Sequence, residues 1–96
     1  MKPYTALNLN REAIRSLVAR HRVTNPLIFG STAREEDCDG SDLDLLVDAP
    51  PGTTLFDLCG FQHELGNLLG LPVDVRTPQD ISKRFRDKVL GSARAL

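Results

Sequence analysis

Apolar residues recur along this chain with two different periods. Between Arg11 and Arg22, the positions Ala13, Ile14, Leu17, Val18 and His21 keep to one helical face. Asn10 is the predicted N-cap of that helix, with Leu9 placed to staple onto Ile14. Val23 to Phe29 ends in an apolar run and predicts a buried strand, weakened early by Pro26, which removes a ladder donor. Thr32 to Glu36 predicts a short helix and Asp37 to Ser41 a polar loop. Asp42 to Asp48 predicts a second strand, stopped by Ala49-Pro50-Pro51-Gly52. A long helix is expected next, capped by Thr54 and running to Leu69. Its apolar face is Leu55, Leu58, Cys59, Gln62, Leu65, Leu68 and Leu69, and Gly70 ends it. Pro72 to Arg76 predicts a third strand. Thr77-Pro78 then reads as a cap and first helical residue. The last helix carries Ile81, Phe85, Val89, Ala93 and Leu96, with a break expected near Gly91.

This order predicts an α+β fold: a three-stranded mixed sheet with helices packed on one face and the other face partly open. The 96 residues suit one domain spanning 1–96. The formal net charge of −1 speaks against a general nucleic-acid binder, which is ordinarily basic. No apolar run approaches the ~18 residues of a membrane span. Met1 to Thr5 lacks the apolar core of a signal peptide, so a cytoplasmic location is expected. Cys38 and Cys59 match no metal or redox spacing. Cys59 is expected in the core and Cys38 in an exposed loop.

The chemistry concentrates between Gly30 and Asp74. Asp42 and Asp44 stand two apart in a predicted strand, so both carboxylates project from one face. Asp74 lies between Val73 and Val75, where a charged residue calls for solvent or a ligand. With the second and third strands adjacent, the three carboxylates would cluster and repel, and a divalent cation such as Mg²⁺ would relieve that repulsion. Gly30-Ser31 allows a tight turn whose backbone N–H groups, with the Ser31 hydroxyl, can meet an anion. Arg34 follows three residues later, where its guanidinium can pair with phosphate oxygens or with the nearby acids.

Other readings of these residues are weaker. An EF-hand beginning at Asp37 would put Asp42 at its obligatory glycine. The register that places Gly40 there leaves Leu46 at the bidentate glutamate. His21 and His63 have no partner at metal spacing and read as helix-face residues. The basic run Lys83-Arg84-Phe85-Arg86-Asp87-Lys88 reads as a solvated face, with an acidic partner or RNA as its alternative.

Gly30-Ser31, Ala33-Arg34 and Ser41-Asp42-Leu43-Asp44-Leu45-Leu46-Val47, followed by Asp74, resemble the DNA polymerase β-type nucleotidyltransferase superfamily. The short length resembles its minimal nucleotidyltransferases (MNT proteins), antitoxin partners of HEPN toxins. The resemblance spans roughly Val23 to Thr77. It implies two Mg²⁺ ions held by Asp42, Asp44 and Asp74, ATP as substrate, and triphosphate binding by Gly30, Ser31 and Arg34. It also implies that Asp74 helps deprotonate an acceptor hydroxyl, a tyrosine of the cognate HEPN toxin. Many members carry glycine directly after the Ala-Arg pair; this chain has Glu35. Three readings follow: an AMP-transferring enzyme, an antitoxin that acts by binding alone, and a nucleotidyltransferase acting on RNA.

Overall fold

The computed structural model describes residues 2–30, 32, 33, 38 and 41–96. Through them run α1 (Pro3–Leu9), α2 (Arg11–Arg20), β1 (Thr24–Phe29), β2 (Leu43–Asp48), α3 (Leu55–Leu69) and β3 (Val73–Arg76). A 3-10 turn (Pro78–Asp80), α4 (Lys83–Ser92) and β4 (Arg94–Ala95) complete the order. The sheet has four strands, β3-β2-β1-β4, rather than the three expected. β2 is parallel to β3; β1 is antiparallel to β2 and to β4. The added strand is two residues long and exists only by pairing Leu27 with Ala95 and Ile28 with Arg94.

Alternation along the strands decides the two faces. Leu43, Leu45 and Val47 of β2 point to one side, and Ile28 of β1 is the register partner of Leu45. These residues join Leu7 of α1, Ile14 and Leu17 of α2, and Phe61 and Leu65 of α3 in the main core. The other face of β2 carries Asp44, Leu46 and Asp48, of which Leu46 is buried. The 3-10 turn packs on β2 and α4 on β1.

Local chemistry explains the boundaries. α1, absent from the sequence prediction, opens with Pro3 at its first turn and buries Pro3, Ala6 and Leu7. Asn10 stands at the N-cap of α2, but its Nδ2 reaches back and donates to Ala6 O at 2.8 Å, closing α1. Leu9 stays exposed and makes no staple. In β1 the register shifts between Thr24 and Leu27, and Asn25 takes φ 52°. That irregularity absorbs Pro26, whose missing N–H would interrupt a regular ladder.

α3 follows its sequence signals closely. Asp57 N donates to Thr54 Oγ1 at 3.2 Å while Asp57 Oδ2 accepts from Thr54 N at 2.9 Å, a full capping box. Gly70 closes the helix in the left-handed region. The buried face is rotated from the expected one. Phe61 and Leu65 are buried, whereas Leu55 and Cys59 are exposed. Thr77 and Asp80 form a second capping box, but it opens the 3-10 turn. α4 begins later, at Lys83, runs through Gly91 to Ser92, and buries none of its ten described residues.

Candidate active site

The antiparallel and parallel pairings of β2 bring three of the predicted residues together, Gly30, Asp44 and Asp74. Asp44 is the register partner of Phe29 in β1 and of Asp74 in β3. Adjacent strands lie ~4.8 Å apart, so the Asp44 and Asp74 side chains leave the same face side by side. Asp42 sits just outside the strand, which starts at Leu43 rather than at Asp42. It is exposed. Leu43 N donates to Pro72 O at 2.9 Å, so the β2–β3 pairing holds the backbone right up to Asp42.

Gly30 ends β1 with φ 74°. A Cβ built there would lie 2.5 Å from Asp44 Oδ2, so only a glycine lets the backbone pass this close to the carboxylate. Thr32 and Ala33 follow in a turn and are both buried, and Ala33 enters the core. The turn is thus tied to the interior next to the Asp44–Asp74 pair. The Thr32 hydroxyl is buried without a hydrogen-bond partner among the described residues. Ser31 and Arg34, expected to hold phosphate, lie outside the described residues, as does most of the short helix expected over Thr32 to Glu36.

One residue of this face was missing from the sequence reading. Arg76 Nε donates to Asp74 Oδ2 at 2.9 Å. The Asp74 hydrogen bond, then the negative charges of Asp74, Asp44 and Asp80, raise the Arg76 pKa above its ordinary value, against a small opposing effect of desolvation. The signal was available: Asp74 and Arg76 are two apart in a strand and share a face. Among the described residues no three His, Cys, Asp or Glu side chains converge to hold a metal. The donors are nonetheless all carboxylate oxygen, which suits Mg²⁺. The sheet register already places two of them next to each other, while the Asp74 carboxylate is directed onto Arg76.

Other candidates serve the scaffold. His21 Nε2 lies 3.2 Å from Glu64 Oε2, and the hydrogen bond from His21, first, with the charge of Arg20 holds the Glu64 carboxyl below its usual range. Gly60 gives the His21 ring room to pass. His63 meets Asn67 one helical turn on. Arg86 of the basic run donates to Pro78 O and Ile81 O and ties α4 to the preceding turn. A groove of about 610 Å³ between α2 and α3 is lined by Ser16, Leu17, Arg20, Glu64 and Asn67 among others. It lies away from Gly30, Asp44 and Asp74.

Beyond this glycine turn and its two carboxylates, the likeness to known proteins runs over nearly the whole chain. The model of the nucleotidyltransferase domain family matches residues 10–96. The chain belongs to the nucleotidyltransferase domain family. A Methanocaldococcus jannaschii member that carries the name protein adenylyltransferase is 37% identical over 91% of this chain and 96% of its own. A solved structure described as a minimal nucleotidyltransferase superposes with a TM-score of 0.83 at 40% identity, covering 97% of this chain and 93% of that one. The fold also recurs, at 19% identity and a TM-score of 0.67 over 92% of this chain and 69% of the other, in a complex of a tri-AMPylated Shewanella oneidensis HEPN toxin with its MNT antitoxin. In this nucleotidyltransferase no helix of the described residues is long and apolar enough to cross a membrane.

Proposed function

We propose that this nucleotidyltransferase, as one domain over residues 1–96 in the cytoplasm, transfers AMP from ATP to a hydroxyl of a partner macromolecule, a tyrosine of a cognate HEPN toxin, and so acts as its antitoxin. The observation that carries the reading is the Asp44–Asp74 register pair with the Gly30 backbone pressed against Asp44. The acceptor class is supported by the name of the Methanocaldococcus jannaschii relative and by the AMPylated HEPN toxin bound to a protein of the same fold.

Asp42, Asp44 and Asp74 would hold two Mg²⁺ ions. Such ions neutralise triphosphate charge and stabilise the entering and leaving oxygens of an in-line displacement. The Gly30 backbone, with Ser31 and Arg34, would seat the triphosphate. Asp74 would take the proton of the attacking hydroxyl, as the carboxylate on the strand beyond Asp44. The new bond forms between the acceptor oxygen and the α-phosphorus, and pyrophosphate leaves. Asp74 and Arg76 are about half exposed, so an acceptor protein could reach this face and would complete the site.

The test mixes the protein with the HEPN-type product of a neighbouring gene, Mg²⁺ and ATP labelled at the α-phosphate. Wild type is expected to label the partner on tyrosine, and Asp42→Asn/Asp44→Asn is expected to lose the label. Inhibition of the partner without label would establish the binding-only reading instead, and label in RNA would establish the third.

A further inference from the structure

Among the described residues, Arg76 is a cation engaged with one of the proposed metal ligands, Asp74. It approaches Asp74 through Nε at 2.9 Å, with the two side chains 51% and 44% exposed. The strand register puts Asp44 next to Asp74, and Arg76 next to Leu46, so Arg76 lies on the same face one step further along. A carboxylate oxygen donating its lone pairs to a guanidinium is a poorer ligand for a metal, and a guanidinium beside the site repels a divalent ion. We infer that Arg76 is a positioning residue: in the free protein it holds the Asp74 carboxylate as a substitute cation, and metal entry requires that it let go. The inference rests on the reading of Asp74 as a metal ligand.

This arrangement has a use in a small, open site. Two carboxylates side by side repel each other, and at Asp74 the Arg76 guanidinium lessens that without a metal. It also occupies Asp74 until a metal arrives. The pair is exposed, so its strength is modest; an ion pair of this kind is worth a factor of up to about five in an equilibrium. A guanidinium that bound more strongly would block the metal altogether.

Two measurements on the full chain test the inference, neither of them an activity. Mn²⁺ affinity is read by electron paramagnetic resonance for wild type, Arg76→Gln, Arg76→Lys and Asp74→Ala, each first shown folded by circular dichroism. Arg76→Gln is expected to bind Mn²⁺ about three- to fivefold more tightly than wild type, Arg76→Lys to stay near the wild-type value because it keeps the cation, and Asp74→Ala to bind more weakly. In parallel, the Arg76 Nε–H resonance is followed by NMR during Mg²⁺ addition. It is expected to move toward its position in metal-free Asp74→Ala. If Asp74→Ala binds Mn²⁺ as wild type does, Asp74 is no ligand, and both the site reading and this inference fall. If Asp74→Ala weakens binding but Arg76→Gln leaves it unchanged or weakens it, or the Arg76 resonance stays put, the inference alone falls.

Discussion

Gly30→Ala is the substitution on which the site geometry is most exposed to test. Two effects meet at this position, one on stability and one on the site. The backbone stands at φ 74°, where an L side chain is disfavoured by about 1–2 kcal/mol. The new methyl would also sit 2.5 Å from Asp44 Oδ2, and an ordinary contact begins at 3.4 Å, so the carboxylate must retreat by about 0.9 Å. Misplacement of a reacting group by about 1 Å costs roughly 10²-fold in rate. Gly70→Ala separates the two effects: Gly70 has φ 68°, and beyond its chain neighbours no heavy atom of the described residues lies within 4 Å of its Cβ position. Both variants should lose about 1–2 kcal/mol, which lowers Tm by roughly 4–16 °C for a domain of this size. Only Gly30→Ala should also lose AMP transfer by about 10²-fold. Thermal denaturation by circular dichroism and partner labelling under saturating ATP read the two effects. Gly30→Ala that matches Gly70→Ala in labelling would refute the close approach of Gly30 to a working Asp44.

Other outcomes follow from the scaffold. Thr54→Ala removes the α3 cap and should cost about 1 kcal/mol in urea unfolding. The backbone N–H of Thr54, first, holds the Asp57 carboxyl below its usual value of 3.8. A lowered native pKa adds stability above the unfolded value and loses it as pH falls through the native one, so the gap between wild type and Asp57→Asn should be constant above about pH 5 and close below about pH 4. Phe61→Ala empties the middle of the core and should cost about 3–5 kcal/mol in urea unfolding; a loss below about 1 kcal/mol would refute its place at the centre of the core. Thr32→Val replaces a buried hydroxyl without a partner among the described residues, and should raise stability by about 1 kcal/mol in the same urea assay.

The sequence by itself determined what depends on neighbours within a turn or on strand alternation. The Thr54 and Gly70 caps predict α3 because capping groups act on backbone atoms three or four residues away. Alternation in Leu43 to Asp48 sorts the residues of β2 into a core face and a site face, and the spacing of Gly30, Asp42, Asp44 and Asp74 already carries the family. The tertiary structure alone decided the rest. α1 is seven residues long, too short to hold as a helix in isolation, and it depends on the packing of Ala6 and Leu7. β4 depends on an open edge of β1 far away in the chain. The choice of Phe61 over Leu55 and Cys59 depends on how α3 is rolled against the sheet, and several apolar stripes on that helix fit the same period. The parallel pairing of β2 with β3 makes Asp44 and Asp74 neighbours, and the same face brings Arg76 onto Asp74. Residue types and spacing announce the carboxylates, but long-range register and the counter-ion that each one meets are set only when distant strands come together.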